Sequence, residues 1–174
     1  DGDRVSTYHK THLYGAEDDV FEPGSAIDPI ETPAGTVGVE ICYDLEFPEV
    51  ARELTLGDAD VLVTISANMR PFEPYQSAYL RARAMENGIP HLLCNRVGVE
   101  DDTDFFGDSG AVDVHGEPIG SANADEATTV TVTLDPTERQ DGSLTYHDDR
   151  RPSLYRRGRK ETIERIETER TAGE

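Results

Sequence analysis

From residue 36 to residue 95 the sequence alternates strand-like with helix-like runs, and that alternation narrows the fold more than any other feature. Thr36-Val37-Gly38-Val39-Glu40-Ile41-Cys42 reads as an apolar strand ending in the polar turn Tyr43-Asp44. Pro48 suits the first turn of a helix, and Val50, Ala51 and Leu54 form its apolar stripe up to Gly57. Val61-Leu62-Val63-Thr64-Ile65 is a buried strand bounded by Asp60 and Ser66-Ala67-Asn68. Tyr75, Ala78, Tyr79 and Ala82 recur at helical spacing in a second helix, which Gly88 stops. His91-Leu92-Leu93-Cys94-Asn95 is another short strand. Residues 109–114, 118–121 and 128–134 then read as strands joined by turns at His115-Gly116 and Asn123-Ala124-Asp125. Strand–helix–strand–helix–strand followed by a meander specifies a layered α/β fold.

The flanks are less regular. Asp1-Gly2-Asp3 reads as a hairpin turn feeding a strand over residues 5–13, so the chain is expected to begin inside a domain. Residues 16–33 form an acidic loop punctuated by Phe21-Glu22-Pro23-Gly24. The expected organisation is one domain over 1–155 and a charged, solvated tail over 156–174.

Charge bounds the partners. Sixteen basic against 36 acidic residues leave a net charge of −20, a poor surface for nucleic acid or anionic membranes. Acidic chains can be disordered, but the apolar segments above supply a core. No run approaches the ~20 apolar residues of a membrane span, and no secretory h-region opens the chain; a soluble, cytoplasmic protein is expected. Two cysteines, Cys42 and Cys94, are too few for a disulfide framework, and no Cys/His spacing suggests zinc. No cofactor is expected. Only Lys10 and Lys160 are lysine; every other basic residue is arginine. An acidic surface with scarce lysine resembles proteins of salt-loving organisms, where salt screens self-repulsion.

Two residues stand out chemically. Cys42 reads either as a buried core cysteine or as a nucleophile at the carboxyl end of a strand, where α/β sheets place reactive groups. The N–H groups of the following turn and helix favour thiolate and oxyanion there. Cys94, between Leu93 and Asn95 in mid-strand, reads as core and inert. Lysines are mostly solvated, yet Lys10 sits inside the strand-like Tyr8-His9-Lys10-Thr11-His12-Leu13, where alternation puts Tyr8, Lys10 and His12 on one face. Its ammonium suits the oxyanion formed when a thiolate attacks a carbonyl or nitrile carbon.

Tyr8-x-Lys10-Thr11-His12-Leu13, then Phe21-x-Pro23-Gly24, then Val39-Glu40-Ile41-Cys42-Tyr43-Asp44-Leu45-x-Phe47-Pro48-Glu49 occur in the order and approximate spacing of nitrilase-superfamily enzymes. Ser66-Ala67-Asn68, Arg81-Ala82-Arg83-Ala84-x-Glu86-Asn87, Asn95-Arg96-Val97-Gly98 and Phe106-Gly107-x-Ser109 look like the later blocks of these carbon–nitrogen hydrolases. The chain thus resembles the C-terminal two-thirds of such an enzyme, over about residues 5 to 155.

The resemblance implies a four-layer α-β-β-α sandwich, here without its N-terminal portion, and a Glu-Lys-Cys site. It makes Cys42 the nucleophile, Lys10 the oxyanion-stabilising lysine and the Tyr43 N–H the second oxyanion donor. Glu17 is the best fit to a second glutamate that positions substrate and lysine, with Asp18 one residue away. The family's general-base glutamate lies before the lysine block; His9 and His12 do not correspond to catalytic positions. Met69 stands where many relatives carry an aromatic residue, so Asn68 and Met69 are candidate substrate-binding residues and specificity does not transfer. Glu86 and Arg83 fit helix packing or salt bridges, and Asn95 and Ser109 fit turn and strand roles. The expected activity is hydrolysis of an amide or N-carbamoyl small molecule, ahead of a nitrile, through a cysteine thioester. The rivals are acyl transfer from the same thioester and a catalytically incomplete fragment or binding subunit of this fold. A homodimer is expected by analogy.

Folding is expected to depend on salt. The Debye length falls from about 10 Å at 0.1 M to about 3 Å at 1 M, which largely silences neighbouring surface carboxylates. The midpoint of thermal unfolding, followed by circular dichroism from dilute to molar sodium chloride, should climb steeply. A midpoint indifferent to salt removes the physical support for a salt-loving origin.

Overall fold

The computed structural model describes residues 2–140, 142 and 146–155. Its elements are β1 (Ile30–Thr32), β2 (Gly35–Ile41), α1 (Pro48–Leu56), β3 (Val61–Ser66), α2 (Glu73–Asn87), β4 (His91–Asn95), β5 (Val97–Glu100), β6 (Thr103–Phe106), β7 (Gly110–Val112) and β8 (Pro118–Ser121). Short 3-10 turns cover Gly15–Asp19 and Cys42–Glu46. One sheet has the order β1-β2-β3-β4-β7-β8, and β5 pairs with β6 as a separate hairpin. The central strands β2, β3 and β4 are parallel; the flanking pairs are antiparallel. Parallel neighbours need crossover connections, and α1 and α2 supply them. Pro48 opens α1 and Gly88, at φ 66°, ends α2, as the sequence pattern requires.

Both crossovers fall on the same face of the sheet. Val50, Ala51 and Leu54 of α1 pack with Leu62 and Ile89, and Leu80 and Ala84 of α2 pack with Leu93 and Val112. Each fully buried leucine, isoleucine or valine among them stabilises the fold by about 1.5–3 kcal/mol. α1 approaches β2 at Gly38, where a Cβ would stand 2.9 Å from the Leu62 Cδ2 and 3.1 Å from the Leu54 Cβ. The other face carries the odd-numbered side chains of β2 and β3 with Leu92 and Cys94 of β4; Ile65 there is 52% exposed. One helix layer and one sheet layer of the α-β-β-α sandwich are therefore present among the described residues.

Several expectations change. The stretch 16–33 is not loop throughout, since Ile30–Thr32 pairs with β2 as β1. Residues 5–13 form no strand. Their backbone groups turn instead to a loop and a side chain: the Lys10 carbonyl accepts from the Gly24 N–H (2.8 Å), and the Thr11 and His12 N–H groups donate to Asp44. The Phe-x-Pro-Gly loop reaches this segment because Gly24 lacks a Cβ, which would sit 2.3 Å from the His9 oxygen. Residues 128–134 also form no strand, although Val130 and Val132 lie against Gly120 of β8. Cys94 is exposed rather than core. Period-two alternation sends Leu93 toward α2 and its neighbour to the open face, opposite Ile65. The hairpin β5–β6 was not anticipated at all.

The first compact unit spans 1–141 and the second 142–174. The described part of the second includes a short helical segment at 152–155, with the Arg151 N–H donating to the Tyr155 hydroxyl (3.1 Å). The expected boundary at 155 falls within that unit, and the expected tail at 156–174 lies outside the described residues.

Gly38→Ala is expected to destabilise the fold by about 1–3 kcal/mol, because the added methyl overfills the α1–β2 contact. Urea unfolding of wild type and variant would read this as a lower midpoint at unchanged slope. Equal midpoints would show that α1 yields at no cost.

Candidate active site

Cys42 ends β2 and begins the 3-10 turn Cys42–Glu46, half-buried and with φ at +50°. A non-glycine residue there costs about 1–3 kcal/mol, which its surroundings must offset. Two clamps hold the turn. On one side Asp44, fully buried, accepts the Ile41 N–H (3.1 Å) and the Tyr8 hydroxyl (2.9 Å) on Oδ2. Its Oδ1 accepts the Thr11 hydroxyl (2.8 Å) and the His12 N–H (2.8 Å), with the His12 Nδ1 at 3.0 Å. On the other side the buried Arg83 of α2 donates to the Leu45 carbonyl (3.0 Å) and the Glu46 carbonyl (3.1 Å), while pairing with Glu86 (3.1 Å). Arg83 thus serves packing and ion pairing, as expected, but the carbonyls it holds belong to the Cys42 turn.

The segment tied down by Asp44 also carries Lys10. Tyr8, Lys10 and His12 do not share one direction: Tyr8 and His12 reach Asp44, whereas the Lys10 Nζ donates to the Glu17 Oε2 at 2.5 Å. Glu17 also accepts the Tyr14 N–H (2.7 Å). Partial burial works against the Glu17 charge, but the Lys10 ammonium and the Tyr14 N–H outweigh it and hold the carboxyl below its ordinary value. Of the two acidic candidates, Glu17 meets Lys10 and Asp18 is exposed. His12 stacks on Phe47 with ring centres 3.8 Å apart, and His9 is exposed. Burial pushes the Tyr8 hydroxyl well up; the bond to Thr11 opposes this, and the negative charge of Asp44 reinforces it.

Lys10, Glu17 and Cys42 line one open cleft of about 440 Å³, together with Tyr14, Ile41, Ile65, Met69 and Phe105. Asn68 and Met69 line a smaller cavity of about 180 Å³ that also contains Cys42. Asn95 fixes this wall: its Oδ1 accepts the Asn68 N–H (2.7 Å), and its Nδ2 donates to the carbonyls of Gly107 (2.8 Å) and Asn68 (3.2 Å). The Ser109 hydroxyl in turn accepts the Asn95 N–H (2.9 Å). The Tyr43 ring meets Tyr14 and Phe47 edge-on, at 5.2 and 5.0 Å. Its N–H lies among the first of the turn, which find no acceptor within a helix.

Four features of the site go beyond the sequence motifs. Asp44 reads in the sequence as turn polarity. Glu46 was not singled out, although it lines the smaller cavity and burial raises its carboxyl above the ordinary value against the pull of Arg83. Phe105, on β6, lines the larger cleft under the Arg96 guanidinium, 4.3 Å from its ring centre. Glu40, Thr64 and His91 form a fully buried polar cluster, the Thr64 hydroxyl lying 2.9 Å from Glu40 and 2.7 Å from His91. The signal for that cluster was present: three polar residues at helix-facing positions of apolar strands. Among the described residues no group of three or more His, Cys, Asp or Glu side chains is arranged to hold a metal ion.

The family model described as carbon-nitrogen hydrolase matches residues 1–141. The chain belongs to the carbon–nitrogen hydrolase family, within the nitrilase superfamily. It is 35% identical over 159 residues to a probable nitrilase of Schizosaccharomyces pombe, covering 90% of this chain and 58% of the relative. To an (R)-stereoselective amidase of a Pseudomonas species it is 37% identical over 149 residues, covering 84% and 54%. The crystal structure of an amidase from a Nesterenkonia species superposes with a TM-score of 0.75 at 31% identity, over 86% of this chain and 54% of that one. A glutamate-to-glutamine mutant of the Nesterenkonia amidase carries the acetamide moiety of fluoroacetamide on its active-site cysteine; it superposes with a TM-score of 0.73 at 30% identity, over 86% and 54%. The chain spans a little over half the length of these relatives.

The Lys10–Glu17 pair sets a pH dependence. A carboxyl held below its ordinary value contributes stability that is fully present above the unfolded value and is lost as pH falls through the folded one. Because Glu17 is 39% exposed, that contribution is at most about 1 kcal/mol. Melting curves of wild type and Glu17→Gln between pH 7 and pH 3 should differ slightly at pH 7 and converge below the ordinary glutamate range. A difference that persists undiminished to pH 3 excludes the ion pair as its source.

Proposed function

We propose that this protein hydrolyses a non-peptide carbon–nitrogen bond, in an amide or N-carbamoyl compound ahead of a nitrile, through a thioester on Cys42. The observation that carries the reading is the convergence of Cys42, Lys10 and Glu17 on one cleft at the carboxyl end of the parallel sheet. The cysteine adduct on the Nesterenkonia amidase supports it.

In this reading the Cys42 proton passes to a glutamate base that the family resemblance places before the lysine block. The thiolate attacks the carbonyl carbon. Charge develops on the former carbonyl oxygen, stabilised by the Lys10 ammonium and the Tyr43 N–H. Collapse of the tetrahedral species breaks the carbon–nitrogen bond, and the leaving nitrogen takes the proton back from the base. Water then attacks the thioester, and the acid departs as the Cys42 thiol re-forms. Glu17 keeps the ammonium on target, and Asn68 and Met69 shape the substrate's surroundings. A cytoplasmic location, a small-molecule substrate and pairing as a homodimer belong to the same proposal. No helix among the described residues is long and apolar enough to cross a membrane.

The test uses the protein at its full natural length with a panel of simple amides and N-carbamoyl compounds. Lys10→Ala is expected to lower kcat by about two to three orders of magnitude, as loss of one oxyanion donor does elsewhere, with little change in melting temperature. Cys42→Ala should abolish both turnover and the acyl adduct that mass spectrometry detects on wild type. Turnover that survives Cys42→Ala would refute the thioester route.

A further inference from the structure

The smaller cavity beside Cys42 holds groups that the proposed hydrolysis does not use. Tyr43, Phe72 and Tyr79 supply aromatic wall, Glu46 is its carboxylate, and Gln76 joins Asn68 as an amide. Gln76 is 2% exposed. Its Nε2 donates to two backbone carbonyls, Gly107 at 3.3 Å and Asp108 at 3.2 Å. Two carbonyl acceptors fix which end of the amide is nitrogen, and the other end, Oε1, is a buried acceptor with no hydrogen-bond partner. Such an acceptor costs about 1–3 kcal/mol until a donor reaches it.

Glu46 is one-sided in the same way. The nearby cation, Arg83, is committed to the Glu86 carboxylate and to the carbonyls of Leu45 and Glu46, and its pull on the Glu46 carboxyl offsets burial only in part. The cavity therefore offers a carboxylate, an orphan carbonyl oxygen and aromatic faces. No cationic side chain lines it, and an ammonium group brings both the charge and the donors that Glu46 and Gln76 can accept. Aromatic rings around a desolvated cation add to the attraction. The acidic surface would also raise the local concentration of a cationic substrate.

Building on the amidase reading, we infer that Glu46 and Gln76 form an ammonium subsite, and that the preferred substrates are amides bearing a primary or secondary amine a few atoms from the scissile carbonyl. Glu46 is the specificity-determining residue and Gln76 completes the hydrogen bonding. The amine stays charged throughout and takes no part in bond breaking.

Butyramide and 3-aminopropanamide test this, because they have the same shape and differ by an ammonium in place of a methyl group at neutral pH. On the full-length protein kcat/KM is expected to favour 3-aminopropanamide by about tenfold or more, the scale of one charge-assisted hydrogen bond. Glu46→Gln, with its fold checked by circular dichroism, should bring that ratio near one. A wild-type ratio at or below one overturns the subsite while leaving the amidase reading intact. A second measurement does not need turnover: iodoacetamide alkylation of Cys42 in the presence of propylammonium, propanol or propionate. Propylammonium alone should slow alkylation of wild type, and it should lose that effect in Glu46→Gln. Equal protection by all three overturns the subsite. Selective protection without hydrolysis of any amide upholds the subsite and sinks the amidase reading instead.

Discussion

The buried carboxylate of Asp44 is the contact on which the site depends. It lies two residues after Cys42, yet its partners Tyr8, Thr11 and His12 come from the segment that carries Lys10. A carboxylate out of water must have its lone pairs filled, and here most donors come from a stretch more than thirty residues before Asp44 in the chain. Meeting that requirement brings lysine and cysteine to one cleft. It also shows what holds residues 10–12 without a ladder: the Thr11 and His12 N–H groups end on Asp44, and the Lys10 carbonyl accepts from the Gly24 N–H.

The sheet sets the stage for this clamp. Parallel strands whose crossovers fall on one face leave their carboxyl ends free of helix, and Cys42 emerges there at a backbone angle few side chains adopt. Arg83 reaches up from α2 to the last carbonyls of the turn, so the position of Cys42 is linked to the packing of α2 through Leu80 and Ala84. Asn95 performs the matching task at the end of β4, tying Asn68 to Gly107 and so aligning one wall of the site with the hairpin region beyond it.

Charge is distributed with a logic that the net value of −20 conceals. Near the cysteine the cations Lys10 and Arg83 each have named carboxylate partners, Glu17 and Glu86. Lys10 is placed by its partner toward the larger cleft, whereas Arg83 is spent on structure. The smaller cavity keeps a carboxyl and a free amide oxygen, and so has the opposite polarity from the cleft that holds Lys10. A substrate spanning both would meet an ammonium at its carbonyl end and acceptors at its far end.

The alternation of strands and helices from 36 to 95 was legible because hydrophobic period, Pro48 and Gly88 are local signals that tertiary contacts did not override. The nomination of Cys42, Lys10 and Glu17 came from motif order, and the structure places all three on one cleft. Local pattern failed where pairing decides the outcome. Residues 5–13 and 128–134 have strand-like alternation, but a strand exists only when another strand answers its hydrogen bonds. Cys94 looked like core because its run is apolar, yet the side of the sheet it faces depends on where α2 lies. Asp44 and Gln76 look like ordinary polar residues in the sequence, and only long-range packing turned one into a hub and left the other with an unanswered oxygen. The sequence by itself determined the strands and helices between 36 and 95 and the chemical types at the site, since these follow from neighbours along the chain. Only the tertiary structure decided which polar atoms are satisfied and which are left without a partner, because burial and partnership depend on residues far apart in the chain.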